Sequence, residues 1–292
     1  MTSPILAFGA GGQLGQELLD RATRCGMAMR AVGHVDVDIT DAEAVSRLIS
    51  SDPPSVVVNV AAYTKVDQAE SEPEAAFRAN AVGPGVLAGV CAAASVPLLH
   101  VSSDYVFDGS KSEPYVECDP IAPLGVYGRS KAEGEASVRR LLDHHLILRT
   151  SWVYGIYGVN FLKTVLRLAR ERDELRIVAD QRGCPTGTAD IAEAILTITP
   201  SLAQRMPVWG TYHFAGQGVA TWYEFACEIV DAQAAITRRR PTVVPISTNE
   251  YPTAARRPAN SVLDSSRFAA TFGIKAADWR QRTRQVTEAL VS

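Results

Sequence analysis

Cysteine is sparse and unpatterned in this chain. Its five cysteines, Cys25, Cys91, Cys118, Cys184 and Cys227, are scattered, odd in number and form no Cys-x-x-Cys pair. That argues against a disulfide framework or a zinc site and fits a reducing compartment. An excess of charge is missing as well. With 29 basic and 32 acidic residues the net charge is −3, so there is no electrostatic case for nucleic acid or an anionic membrane as partner. The one basic run, Arg238-Arg239-Arg240, reads as a solvated helix end or loop. No apolar run approaches the roughly 18–20 residues of a membrane span, and Met1-Thr2-Ser3-Pro4 lacks a basic n-region. A cytoplasmic location is expected. Repeats, low-complexity stretches and linkers are lacking too. What remains is an ordinary globular composition, 47% hydrophobic and 21% charged over 292 residues, enough for one large or two modest domains.

The chain opens with an apolar run, Ile5 to Phe8, that stops at Gly9-Ala-Gly-Gly-Gln-Leu-Gly15, after which Gln16 to Ala22 reads as a helix. Strand, glycine turn and helix begin a dinucleotide-binding βαβ unit: the backbone must turn tightly and approach a pyrophosphate, and the helix start offers free N–H groups to it. Leu14 breaks the strict G-x-G-x-x-G pattern, and the glycines fit G-x-x-G-x-x-G at Gly9, Gly12 and Gly15 instead. A weaker strand, Met29 to Val35, leads to Asp36-Val-Asp38, and a helix follows with Thr40 as its expected N-cap. His34, near the end of that strand, is neither an acid that repels a 2′-phosphate nor an arginine that binds one, so NADH and NADPH are not distinguished. Buried strands are expected at 55–62, 96–101 and 145–150, with helices at 73–95 and from Tyr127 to about Leu142. Strands alternating with helices over 150 residues indicate an α/β fold with a doubly wound parallel Rossmann-type sheet. After residue 154 the alternation breaks into a smaller C-terminal α/β lobe. The expected division is 1–154 for the cofactor domain, with elements of about 183–215 returning to it, and 155–182 with 216–292 for a substrate lobe.

Tyr127 and Lys131 lie four residues apart, hence on one face of a helix. There an ammonium can lower the phenol's pKa and poise it as a proton donor. The spacing alone is common. It gains meaning from Ser102 and Ser103 at the end of the fourth strand, where open parallel sheets bind their ligands.

A glycine turn after the first strand, Ser103 at a strand end, and Tyr127 with Lys131 on the next helix form the pattern of the extended short-chain dehydrogenase/reductase superfamily. The likeness continues through both halves: residues 61–70 (Ala-Ala-Tyr-Thr-Lys-Val-Asp-Gln-Ala-Glu), 100–109 (His-Val-Ser-Ser-Asp-Tyr-Val-Phe-Asp-Gly), 149–155 (Arg-Thr-Ser-Trp-Val-Tyr-Gly), 180–186, 210–216, 222–226 and 256–264. Together they resemble the dTDP-4-dehydrorhamnose reductase family. The resemblance implies an NADPH- or NADH-dependent oxidoreductase that reduces the C4 ketone of a nucleotide-linked 4-keto-6-deoxy sugar. Ser103, Tyr127 and Lys131 would be catalytic. Gly9, Gly12, Gln13, Leu14, Gly15, Asp38, Ile39, Ala61, Ala62, Tyr63 and Ser102, with Tyr127 and Lys131, would hold the cofactor. Thr64, Val66, Asp104, Tyr105, Trp152, Asn160 and Arg257 would meet the sugar nucleotide, with Trp152 laying its ring on the sugar's apolar face and Arg257 either a phosphate partner or a structural ion pair.

Two departures stand out. The family's usual Thr at position 103 is Ser here, which keeps the hydroxyl. Some members dimerise through a Mg²⁺ held by three glutamates. Glu17 and Glu288 match two of them, but the third position falls near Ala189-Asp190 without a clean match, so no metal is expected and a homodimer is left open. Other readings remain: a reductase of a different 4-keto sugar, an epimerase or dehydratase of the same branch, or a non-catalytic cofactor-binding regulatory subunit. A dehydratase would carry Glu where Tyr105 stands, and a regulatory subunit commonly loses part of the catalytic set.

Overall fold

The apolar runs become the strands of one sheet. The computed structural model describes residues 3–291. Strands β1 (Ile5–Phe8), β2 (Met29–Val32), β3 (Val56–Asn59), β4 (Leu98–Ser103) and β5 (His145–Thr150) are joined, after β6 (Glu174–Val178), by β7 (Gly210–His213). The six-stranded order is β2-β1-β3-β4-β5-β7, every neighbouring pair parallel. The chain leaves β1 for β2 on one side and returns to β3 on the other. A crevice therefore opens at the carboxyl ends of β1 and β3, where such sheets bind ligands.

Both faces of this sheet are covered, which is why its strands read as continuous apolar runs rather than alternating ones. Ile5, Ala7, Val56, Val58, Leu146 and Leu148 face α1 (Gln13–Arg24) and α6 (Thr188–Ala203) in one core. Leu6, Phe8, Val57, Leu98 and Ile147 face the other way, onto α2 (Ala42–Ser51), α3 (Pro73–Ala94) and α4 (Val126–Leu141). Helix α3 is the one helix among the described residues long and apolar enough, by length and composition, to cross a membrane, which corrects the expectation that nothing approaches that length. Its Leu87, Ala88 and Cys91 are spent on the sheet's core instead. A π-turn at Arg78–Val82 interrupts it.

A further core gathers Tyr154, Leu175 and Trp279 with the apolar stripes of α5 (Phe161–Glu171), α7 (Trp222–Thr237) and α9 (Trp279–Val291). Leu162, Val165, Leu166 and Ala169 of α5 fall at i, i+3, i+4 and i+7, the spacing of one buried helix face. Strand β6 pairs in parallel with β8 (Thr242–Ile246) beside them. A short helix, α8 (Ser266–Phe272), closes the edge near β7 through Phe268.

Local differences from expectation have simple causes. The cap of α2 is Asp41, whose carboxylate accepts from Ala44 N at 3.0 Å; Thr40 instead donates its hydroxyl to Asp38. A carboxylate is the better acceptor, and Asp41 has the extended backbone a cap needs. Arg238 ends α7 in the left-handed region, while Arg239 and Arg240 pair with Asp173 and Asp231 at the surface.

Candidate active site

A cavity of about 1330 Å³ runs from the carboxyl ends of β1 and β2 to those of β4 and β5. At one end stands the glycine turn. Gly9 has φ +100°, and a Cβ there would lie 2.6 Å from Ala61 N; a Cβ on Gly15 would lie 2.1 Å from Gly9 O. Only glycine lets the turn close onto β3 and lets α1 start against the turn. Gly12 is the N-cap of α1 and provides no side-chain cap, so the helix's first N–H groups face the cavity beside Gly11, Gly12, Gln13 and Leu14. This cradle fits the pyrophosphate of a dinucleotide. Further along, Asp38 and Ile39 line the cavity. The Asp38 carboxyl is held below its ordinary value, first by the Thr40 backbone N–H and also by the guanidinium of Arg78 at 2.9 Å.

The other end holds the catalytic candidates. Ser103 closes β4, and its hydroxyl donates to Asp104 at 2.9 Å while accepting from Tyr105 N at 3.1 Å. Tyr127 opens α4, and Lys131 lies one turn on. Gly128 between them is forced, because a Cβ there would lie 2.2 Å from Tyr105 O. The helix can thus start hard against the 104–106 turn, which brings Tyr127 to Ser103. Ser130 continues the bracing: its hydroxyl donates to Tyr127 O at 2.8 Å and accepts from Asn80 at 3.0 Å.

The electrostatics differ from the expectation that Lys131 lowers the phenol's pKa. Burial pushes Tyr127 up to about 12, with the Ser103 hydroxyl acting downward and the Asp104 carboxylate adding to the rise. Lys131 directs its ammonium to Val101 O at 2.8 Å, and burial brings it down to about 8 against the opposing charge of Glu135. Desolvation is the largest influence on both groups. The phenol therefore keeps its proton at neutral pH, the form a proton donor needs. Asp104, buried and with one carboxylate oxygen lacking a protein partner among the described residues, is pushed up to about 6 by burial. Below Lys131 on the same face of α4, Glu135 accepts from Arg149 at 2.7 and 2.8 Å and from Arg139 at 2.7 Å, all three groups brought together by α4 and β5.

Most residues singled out in the sequence meet in this cavity: Gly9, Gly12, Gln13, Leu14, Asp38, Ile39, Ala61, Ala62, Thr64, Val66, Ser102, Ser103, Asp104, Tyr105, Tyr127, Lys131 and Trp152 line it. Four do not. Gly15 sits behind the turn. Tyr63 is held by Asn80 through both its backbone groups and gives its hydroxyl to Glu72 at 2.8 Å. Asn160 caps α5 through Lys163 N and reaches Gly155 O at 2.9 Å. Arg257 makes an ion pair, its guanidinium bidentate on Asp67 at 2.7 and 3.1 Å. Trp152 also departs from expectation. Its indole is stacked on Trp222, centroids 3.5 Å apart and planes 5° from parallel, so that face is taken. The cavity further includes Arg78, Gly158 and Val159, which carry no local sequence signal: their approach depends on how α3 and the 155–160 loop fold back over the turn.

Two of the positions weighed for a metal are engaged in contacts within the chain. Glu17 is buried, bonded to Arg21 at 2.9 Å and Thr188 at 3.1 Å, and Asp190 is bidentate with Arg282. Among the described residues no group of three His, Cys, Asp or Glu side chains is placed to hold an ion.

The family model described as the RmlD substrate binding domain matches residues 2–292. A dTDP-4-dehydrorhamnose reductase of Aggregatibacter actinomycetemcomitans is 44% identical over 286 residues, 97% of either chain. The chain belongs to the dTDP-4-dehydrorhamnose reductase family. A crystal structure of the reductase of that name from Bacillus anthracis, in complex with NADP, superposes with TM-score 0.92 at 34% identity, covering 99% of this chain and all of the other. UDP-glucose 4-epimerase of Brucella ovis, solved with NAD, shares the fold at TM-score 0.82 and 18% identity over 99% of either chain. Within the family, then, this chain keeps the three catalytic candidates on one cavity wall and the glycine cradle at the far end.

Proposed function

We propose that this protein reduces the C4 ketone of a nucleotide-linked 4-keto-6-deoxy sugar with NADPH, taking dTDP-4-dehydro-L-rhamnose to dTDP-L-rhamnose. One observation carries the reading: Ser103, Tyr127 and Lys131 share a wall of the same cavity whose opposite end is the glycine cradle. When bound, the reduced nicotinamide supplies the hydride. The chain's own residues do the rest. The cradle of Gly9, Gly12 and the start of α1 would hold the pyrophosphate, and Lys131, lining the same cavity, would donate to the nicotinamide ribose. Tyr127 gives its proton to the oxygen on which negative charge grows. A phenol near 12 still lies below the roughly 15.7 of water, so the transfer to a nascent alkoxide runs downhill. Lys131, one helical turn from Tyr127 and bonded to Val101 O, supplies the cation nearest along α4 to the phenolate that results. Ser103 holds the same oxygen by a hydrogen bond. Thr64, Val66, Asp104, Tyr105 and Trp152 shape the sugar end. NADPH supports the reading through the NADP complex of the Bacillus anthracis relative.

The test is a coupled assay. The 4-keto-L-rhamnose nucleotide is generated in situ by upstream enzymes, and absorbance loss is followed for NADPH and for NADH. Oxidation of NADPH that depends on the sugar nucleotide is expected; no oxidation of either would overturn the reading. Tyr127→Phe should lower kcat by about 10²–10⁴-fold while fluorescence titration shows unchanged NADPH affinity. Retained turnover in that variant would remove Tyr127 from the chemistry.

A further inference from the structure

Trp152 is held in an unusual way. Its backbone lies in the left-handed region at φ +47°, where non-glycine residues are rare. Its indole is stacked on Trp222. On Gly183, a Cβ would come 2.3 Å from Cε2 and 2.5 Å from Nε1 of that indole. No Trp222 atom is among those such a Cβ would meet first, although a ring only 3.5 Å away covers the whole of one face. Gly183 therefore approaches from the opposite face. The indole is clamped between Trp222 and the Gly183 backbone, and an edge is what it turns to the cavity.

The two jaws belong to one unit. Arg182–Gly183 pairs antiparallel with Ala220–Thr221, Gly183 opposite Ala220. Trp222 follows at once as the first residue of α7, whose start is fixed by a capping box between Thr221 and Glu224. Phe161 packs on Trp222, centroids 4.6 Å apart. Trp222 itself does not line the cavity, whereas Trp152 does. We propose that Trp222 is a positioning residue for the sugar: with Gly183 it fixes the Trp152 indole edge-on at the sugar end of the cavity, setting affinity for the sugar nucleotide without touching it. The proposal rests on the reading, given above, that Trp152 meets the sugar.

Three variants test it. Trp222→Phe keeps a flat ring for the stack, Trp222→Leu keeps apolar volume without one, and Trp152→Ala removes the clamped group. Each is measured for dissociation constants of the dTDP-sugar and of NADPH, for KM and kcat, and for the far-ultraviolet exciton couplet that stacked indoles give. In Trp222→Leu the dissociation constant and KM for the sugar nucleotide should rise about tenfold or more, as displacement of a positioning group does, with NADPH affinity unchanged. Trp222→Phe should restore sugar affinity to within about threefold of the wild type while lacking the couplet, since a Phe ring still stacks. Wild-type sugar affinity in Trp222→Leu, or equal defects in the Leu and Phe variants, would overturn the clamp. Unchanged sugar affinity in Trp152→Ala would instead overturn the reading on which it rests, and the two failures are told apart by which variant is silent.

Discussion

Asp104 shows how much a single residue's surroundings decide. Its carboxyl is buried beside Ser103, has no cation among its partners, and is lifted from 3.8 to about 6. The folded chain therefore holds a proton between those values that the unfolded chain has released. The stability Asp104 contributes is complete below its unfolded pKa and is lost as pH rises through about 6. Asn at this position carries no charge to desolvate. Relative to wild type, Asp104→Asn should gain about 3 kcal/mol of unfolding free energy between roughly pH 4 and pH 7, at 1.36 kcal/mol per pH unit of displacement. Urea unfolding of both proteins at those two pH values measures it, and a difference independent of pH would show that Asp104 is not the buried acid described here. The same residue marks a limit of sequence reading. Ser103, Tyr127 and Lys131 were legible from type and spacing, but their protonation was not. Spacing reveals that Lys131 lies near Tyr127, not that its ammonium is turned to Val101 O and that desolvation governs both groups.

Among the elements, the β1–turn–α1 unit was the most legible, because its steric demands are local. Gly9 must adopt φ +100°, and Gly15 must leave room for Gly9 O; no other residue type does either without shifting the backbone. Gly15→Ala places a Cβ 2.1 Å from that carbonyl, so the start of α1 must move away from the turn. NADPH affinity should fall by at least about 100-fold, nearly 3 kcal/mol of binding free energy, because N–H groups displaced from a phosphate lose their charge-assisted hydrogen bonds. Isothermal titration checks this, and affinity within threefold of wild type would mean that the helix start does not hold the cofactor. Elements defined by distant partners were less legible. Tyr63 and Arg257 matched motif positions, yet Asn80 and Glu72 take up the first and Asp67 the second. Those partners lie 9 to 190 residues away in the chain, and only the packing of α3 and of the 253–257 loop brings them near. Trp152 likewise read as a face for the sugar until β-pairing of residues 182–183 with 220–221 set Trp222 against it.

Across the whole molecule, the sheet and the C-terminal elements meet over the cofactor cradle through slender contacts. Gln13, the first residue of α1, donates to Val153 O at 3.3 Å and accepts from Asn160 at 3.4 Å, and Gly158 packs on it so closely that a Cβ would lie 3.0 Å from Gln13 Cβ. These bonds are long, and each is worth at most about 1 kcal/mol. Val159 beside them is 90% exposed and still lines the cavity. The 155–160 loop is therefore tied to α1 only weakly, and a ligand lying along the cradle would add contacts to it. NADPH at about 100 times its dissociation constant should raise the unfolding free energy by about 2.7 kcal/mol through mass action alone. Beyond that global gain, the loop should respond more than the sheet does. Amide hydrogen exchange in residues 156–160 should slow on NADPH addition by a larger factor than exchange in β3 or β4, whose amides already lie in a parallel ladder between two covered faces. In Gln13→Ala the loop loses its hydrogen-bonded ties to α1 while the glycine cradle is untouched. The loop-specific part of the protection should then shrink, with NADPH affinity falling by no more than about tenfold, the loss of one or two weak contacts. Equal slowing of loop and sheet in the wild type would show that the loop closes no wall of the site, and that Val159 lies over the cavity without gating it.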